Sequence, residues 1–149
     1  MKKLTLVFAF LLACVGLANA QNYVGSYTGL MDEIEMRGNS YDDVSGQVFN
    51  LTANMLTGTV SQIGSMPGTI SINLPITVDA YGNITAVGTT CGTLTIFGFI
   101  PITLQLTSLT DATVKNNTLE FTLQCHGTYL GADFPASVHF KSESFISGN

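Results

Sequence analysis

The residues of this sequence that could do acid–base, nucleophilic or metal chemistry are few. Its two histidines, His126 and His139, each lie next to apolar positions of alternating runs, so both side chains are expected on the outer faces of strands. A zinc site needs three or four ligands, and no cysteine or acidic residue is spaced to complete one with them. No serine lies in a nucleophile-elbow motif, and neither HExxH nor a phosphate-binding glycine motif occurs. The sequence therefore predicts no catalytic residue, no metal ligand and no cofactor, and it favours a non-enzyme.

Two cysteines, Cys91 and Cys125, follow the first twenty residues. In an oxidising compartment an isolated pair in a small domain often forms a disulfide. The alternative is a pair of buried free thiols, because cysteine is also a common core residue. We expect the bridge and assign no reactive role to either side chain.

The charge of the chain excludes two classes of partner. After residue 20 only Arg37, Lys115 and Lys141 are basic, against ten acidic residues, so the formal charge is −7. Proteins that bind nucleic acid or anionic lipid surfaces need clustered lysine and arginine. Half of the carboxylates lie between Asp32 and Asp43, but without the residue order of an EF-hand loop. That segment is expected to be a solvated loop.

The N-terminus is typical of a signal peptide. Lys2 and Lys3 form a positive region, and the apolar run Leu4–Leu12 is too short to span a bilayer of roughly 30 Å. Ala18-Asn19-Ala20 supplies the small residues of a cleavage site, which places the cut before Gln21. The sequence therefore predicts export, to the periplasm, the cell surface or the medium.

A second interpretation of the N-terminus is a lipid anchor. The residues before Cys14 resemble a bacterial lipobox, although the Ala-Asn-Ala site fits cleavage better. No later run is apolar enough for a membrane helix. Residues 21–149 are long enough for one domain with its own core and too short for two ordinary ones. We therefore expect a signal peptide over 1–20 and a single domain over 21–149.

Alternation with a period of two dominates this domain and is typical of strands with one buried face. The clearest run is Thr69–Asp79, where Pro75 indicates an edge or a bulge. Another run, Thr93–Thr107, carries Phe97-Gly98-Phe99, which we interpret as a bend within one long strand. Shorter runs with the same period are Phe49–Met55, Leu119–Cys125 and Phe134–Lys141.

Turn residues at short, even spacing separate these runs, and this favours an antiparallel meander. The segment Met31–Asp43 lacks clean alternation and is expected to be a short helix or a loop. About eight strands must bury their apolar faces, either in a closed barrel or in a β-sandwich. The sequence thus predicts an all-β fold, with the barrel preferred and the sandwich as the alternative.

Several segments resemble a known family. Tyr23-Val24-Gly25-Ser26-Tyr27-Thr28-Gly29 after an export signal is similar to the first strand of the calycin-like, or lipocalin-like, small secreted proteins of Bacteroides-type bacteria. Residues 67–72 and 117–123 resemble their middle and late strands. The resemblance implies an eight-stranded up-and-down barrel in which ligand binding is presumed. The chain has no tryptophan, and so it lacks the Gly-x-Trp motif of ordinary lipocalins.

Two functional hypotheses follow. The first is an exported barrel that binds a small apolar molecule, because about eight strands leave an interior that side chains fill or that holds one small ligand. Its expected ligand-binding residues are Ile70, Ile72, Leu74, Ile102, Leu104, Phe121, Leu123 and Phe140. The second is a secreted or surface interaction module with a filled core, whose partner patch is the Phe97-Gly98-Phe99 region or the acidic segment.

Overall fold

The structure, a computed structural model, describes residues 22–148. The predicted signal peptide and the predicted lipid anchor at Cys14 lie outside these residues. Among residues 22–148, no helix is long and apolar enough to cross a membrane.

The described chain forms ten β-strands and no helix, as the period-two alternation predicts. In chain order the strands are β1 (Gly25–Met36), β2 (Asn39–Tyr41), β3 (Val44–Leu51), β4 (Met55–Val60), β5 (Gly68–Val78), β6 (Ile84–Ala86), β7 (Thr90–Ile96), β8 (Ile100–Lys115), β9 (Thr118–Tyr129) and β10 (Ala132–Ser147).

Eight of these strands close into an antiparallel barrel. The order β10-β9-β8-β7-β5-β4-β3-β1 follows the chain, and β10 pairs with β1 to close the ring. The short strands β2 and β6 extend β1 and β5 from outside the ring. The predicted barrel is therefore confirmed, and the alternative β-sandwich is wrong. Closure leaves no long unpaired edge in the sheet.

The ends of the barrel differ. One end, here called the mouth, carries the connections 37–38, 61–67, 97–99 and 130–131. The opposite end, here called the far end, carries 52–54, 79–83 and 116–117. Pro75 lies where β5 changes its partner from β7 to β6, so its missing N–H interrupts no ladder.

Aromatic side chains fill the centre of the barrel. Phe49, Phe121 and Phe140 are fully buried, and their ring centroids lie 4.8–5.6 Å apart. Phe49 meets each of the other two rings edge to face, an arrangement that adds to the energy of burial. This part of the interior is a packed core.

Three local predictions are wrong. The run Phe49–Met55 is two strands, since β3 ends at Leu51 and β4 begins at Met55. The run Thr93–Thr107 is a hairpin, because Phe97-Gly98-Phe99 reverses the chain between β7 and β8. The segment Met31–Asp43 is neither a helix nor a loop. It contains the end of β1 and all of β2.

A bulge in β1 explains why that segment lacks alternation. Asp32 pairs with His139 and Glu35 with Ser137, so Glu33 and Ile34 together lie opposite Val138. The extra residue reverses the parity of the strand. Odd-numbered residues point inward up to Met31, and even-numbered ones do so from Ile34 onward.

Candidate functional site

The predicted ligand-binding residues lie inside the barrel, but most of them are packing residues. Seven of the eight are buried, and Ile70 is half-buried. Leu74, Ile102, Phe121 and Phe140 do not line the interior cavity described next. The other four, Ile70, Ile72, Leu104 and Leu123, line the interior cavity described next.

The interior cavity has a volume of about 30 Å³. Pockets for drug-sized molecules measure about 300–1,000 Å³, so this cavity has room for roughly one water-sized occupant. Its walls are largely apolar, with the exposed Glu35 and the half-buried Ser137 at its rim. An organic ligand does not fit this cavity as the side chains stand.

Five sulfur-bearing side chains line this cavity, and we call the group the sulfur cluster. Its members are Met31, Met36, Met66, Cys91 and Cys125. All five are buried, with exposed fractions between 0% and 7%. They come from β1, β7, β9 and the connection between β4 and β5.

The two cysteines are free thiols, and the expected disulfide is absent. Cys91 lies on β7 and Cys125 on β9, with β8 between them. The hydrogen bond between the thiols raises the pKa of Cys91, with burial adding to the rise, and lowers the pKa of Cys125.

The two histidines do not share a site. His139 pairs with Thr122, which is four residues before His126 on β9, so the rings are roughly 13 Å apart along the strand. The Nδ1 atom of His126 lies 3.0 Å from the hydroxyl of Thr107.

His139 lies among carboxylates on the outer face of the β1–β10 pairing that closes the barrel, which we call the closing seam. Its Nδ1 is 2.5 Å from Asp32 Oδ1 on β1, and its Nε2 is 2.8 Å from Glu120 Oε2 on β9. Glu33 offers a third carboxylate, within 4.8 Å of the ligand atoms of Asp32 and His139. Burial favours the neutral ring, but the hydrogen bonds and charges of Glu120 and Asp32 outweigh it. The pKa of His139 is therefore raised above its ordinary 6.5.

The raised pKa makes the stability of the barrel depend on pH. A histidine whose folded pKa exceeds its unfolded pKa stabilises the fold fully below the unfolded value, here 6.5, and loses this contribution as the pH rises through the folded value. We expect the free energy of unfolding of the wild type to fall relative to His139→Gln over that rise. Urea unfolding of both proteins from about pH 5 to about pH 9 measures the difference. Parallel curves would contradict the ion-pair account.

An apolar groove lies at the mouth, between the β7–β8 and β9–β10 hairpins. It has a volume of about 340 Å³, and we call it the mouth groove. Aromatic and aliphatic side chains line it, together with one cation: Arg37, Pro67, Ile96, Phe97, Tyr129, Leu130, Ala132 and Phe134. Phe97 and Leu130 are 72% and 87% exposed. The groove has the size and lining of a small-molecule site, and barrel mouths are a common place for one.

Two of these apolar side chains are held in an unfavourable backbone conformation. Leu130 has φ 53°, and with Gly131 it forms the two-residue turn between β9 and β10. Phe97 has φ 56°. Bulky residues adopt positive φ only at a cost of about 1–3 kcal/mol. At the far end the equivalent two-residue turn uses Asn116 and Asn117, the residue type that such turns favour.

Arg37 supplies the single positive charge of the mouth groove. Within the described part of the chain it forms no ion pair, and its backbone N–H donates to Pro135 at 2.9 Å. A guanidinium offers five donors in a fork that matches a carboxylate. Lys115, by contrast, ends β8 at the far end.

Comparison with known proteins does not place the chain in a family. No family matches it, and neither a curated protein nor a solved structure is similar to it.

A second, larger depression of about 660 Å³ opens between β3 and β4, whose pairing covers only three residues of each strand. Mostly polar, uncharged side chains line it. The Gln47 amide crosses the gap and donates to the Thr59 carbonyl at 2.9 Å. Its lining is more polar than that of the mouth groove and carries no charge, so it is less suited to an apolar ligand.

Sequence reasoning noted Phe97 and Phe99 as a partner patch but missed Leu130 and Arg37. A leucine before a glycine between two alternating runs is the signal that marks Leu130, since asparagine or aspartate is usual there. No local residue pattern marks Arg37. It reaches the groove because β1 pairs with β10 at the mouth.

Proposed function

We propose that this protein is an exported binding barrel for a small apolar molecule with one anionic group, which docks in the mouth groove. One observation carries the proposal: an apolar groove of about 340 Å³ whose only charged lining residue is an arginine without an ion-pair partner among residues 22–148. The size suits a small organic molecule, and the charge suits a carboxylate. The predicted signal peptide and the resemblance to lipocalin-like proteins support the same function.

The proposed ligand site therefore lies at the mouth of the barrel, whereas the sequence predicted it in the interior. The interior leaves about 30 Å³, which suits a packing role for the apolar residues first expected to bind ligand. The strained turns support the new position. A chain that uses Asn116 and Asn117 at the far end but Leu130 and Phe97 at the mouth keeps unfavourable residues where apolar surface is needed.

Decanoate binding, measured by isothermal titration calorimetry with decanol as the uncharged comparison, tests the proposal. We expect saturable binding of decanoate. Arg37→Gln should weaken it about tenfold, the loss of one charge-assisted hydrogen bond, and leave decanol binding unchanged. Lys115→Gln removes the same charge at the far end and should change neither affinity. Absence of saturable decanoate binding, or equal losses in both variants, would contradict the proposal. Absent binding would instead favour a protein partner for the exposed aromatic side chains.

A substitution in the strained β9–β10 turn should change stability and ligand binding in opposite directions. Leu130→Asn creates an Asn-Gly turn and should raise the free energy of unfolding by about 1 kcal/mol, because asparagine tolerates φ near 53° and Leu130 buries little. The same variant should weaken decanoate binding, since it removes an apolar wall of the groove. Urea unfolding and calorimetry measure the two effects.

The reciprocal variant is the control. Asn116→Leu places leucine at the equivalent turn position of the far end, where φ is also 53°. It should lower the free energy of unfolding by a similar amount and leave decanoate binding unchanged. A Leu130→Asn variant that binds decanoate as well as the wild type would argue against the mouth groove.

A further inference from the structure

The sulfur cluster contains most of the soft ligands of this chain. Of the four methionines after residue 20, Met31, Met36 and Met66 line the interior cavity, and so do both cysteines. The fourth, Met55, lies at the start of β4 and does not line it. Residues separated by up to 94 positions along the chain thus converge on a space of about 30 Å³.

We propose that the sulfur cluster is a binding site for a single Cu(I) ion. Thiolate and thioether sulfur are the ligands that select Cu(I) among the first-row metals. Structural zinc sites instead use four cysteine or histidine ligands, and no histidine lines this cavity. The volume suits one ion and excludes an organic molecule or a metal cluster.

The charge balance suits a monovalent ion in an apolar enclosure. When Cu(I) binds, a copper–sulfur bond forms at Cys125, its S–H bond breaks, and the proton leaves to solvent. No oxidation state changes in this exchange. One cation and one thiolate make a neutral pair, which is far less costly to bury than an uncompensated charge. The methionine thioethers complete the coordination without adding charge.

Entry from the surface is proposed to pass through a wall that this cavity shares with an outer groove. An outer groove of about 290 Å³ shares Glu35, Cys125, Ala136 and Ser137 with it. Cys125 is the most exposed member of the sulfur cluster, at 7%. The β1 bulge at Glu33 and Ile34 lies beside this route and interrupts the register of the closing seam. The Glu35 carboxylate at the rim attracts a cation.

Two features of the fold make the sulfur atoms available as metal ligands. The bulge reverses the parity of β1, so that Met31 and Met36, five positions apart, both point inward. Cys91 and Cys125 are not bridged to each other, so both thiols are available as ligands.

The test is an anaerobic titration of the purified protein with Cu(I), in competition with a chromogenic Cu(I) chelator. We expect one equivalent to bind, with sulfur-to-copper absorption in the near ultraviolet and only sulfur neighbours in the X-ray absorption spectrum. Cys125→Ser and Cys91→Ser should weaken binding by at least the roughly 10–100-fold that loss of a supporting contact costs. Met66→Leu should weaken it less.

Met55→Leu is the matched control and should bind Cu(I) like the wild type. Near-ultraviolet circular dichroism of each apo variant verifies that these nearly isosteric changes leave the fold intact. Binding of no Cu(I), or retention of the wild-type affinity in the Cys91→Ser/Cys125→Ser double variant, would overturn the proposal. The cavity is separate from the mouth groove, so neither result bears on decanoate binding.

Discussion

Replacing Phe121 with alanine should lower the free energy of unfolding by about 3–5 kcal/mol, the usual cost of removing a fully buried phenylalanine. The ring lies 5.1 Å from Phe49 and 5.6 Å from Phe140, so the substitution also removes two aromatic contacts. Urea unfolding measures the change. It is a large share of the total stability of a small domain, about 5–15 kcal/mol.

Phe99→Ala is the control for this result. Phe99 is 76% exposed in the β7–β8 turn, so the same substitution should change stability by no more than about 0.5 kcal/mol. The comparison separates two roles for Phe121. If Phe121→Ala kept its stability, Phe121 would line a ligand site, as the alternation first suggested, and the filled-core description would be wrong.

Replacing Gly29 with alanine should destabilise the barrel by about 3 kcal/mol, near the upper end of the cost of overpacking. A methyl group at Gly29 would overlap the carbonyl oxygen of Lys141 and the Cα of Ser142 on β10. These are backbone atoms, so no side-chain rotation relieves the overlap. Gly29 lies in the β1–β10 pairing that closes the barrel, and the strands must separate to admit the methyl group. Thermal unfolding, together with hydrogen exchange of the β1 and β10 amides, measures the effect.

Gly127→Ala is the comparison variant. A methyl group there would approach the tip of the Phe134 ring at 2.9 Å and the Cγ2 methyl of Ile102 at 3.1 Å, so only side chains oppose it. Side chains can turn aside, so the loss should be smaller than for Gly29→Ala. Equal losses, or undisturbed exchange at the seam, would show that β10 tolerates a side chain at position 29.

These variants separate the core from the two proposed sites. Phe121 and Gly29 are predicted to affect folding, Arg37 to affect decanoate binding alone, and Cys91 and Cys125 to affect Cu(I) binding. Leu130 is predicted to change stability and binding in opposite directions. Stability can be gained at Leu130 because its strained conformation serves the groove and no packing contact of the core.

The sequence by itself determined the fold class and much of the core. Alternation is a local property: it depends only on the geometry of a strand, which places successive side chains on opposite faces. For this reason the run Thr69–Asp79 predicted β5 to within one residue at each end. The inward parity of Ile72, Leu74, Phe121 and Leu123 was also evident from alternation alone.

Local irregularities escaped sequence reasoning. The β1 bulge reverses parity within the segment Met31–Asp43, so no single period describes it. The β7–β8 turn was hidden because Phe97 holds a positive φ that apolar side chains rarely adopt. In both places the surrounding pairing overrides local preference, and pairing is not visible in a single run of residues.

Only the tertiary structure decided where the proposed binding sites lie. Whether a barrel is hollow depends on how completely its inward side chains fill the interior volume. Composition alone does not determine how much of that volume is filled. The mouth groove unites Arg37 with Phe97 and Leu130, and the sulfur cluster unites residues of four separate elements. Register and closure bring these residues together. They result from all the pairings in the barrel at once, whereas alternation is a property of each strand alone.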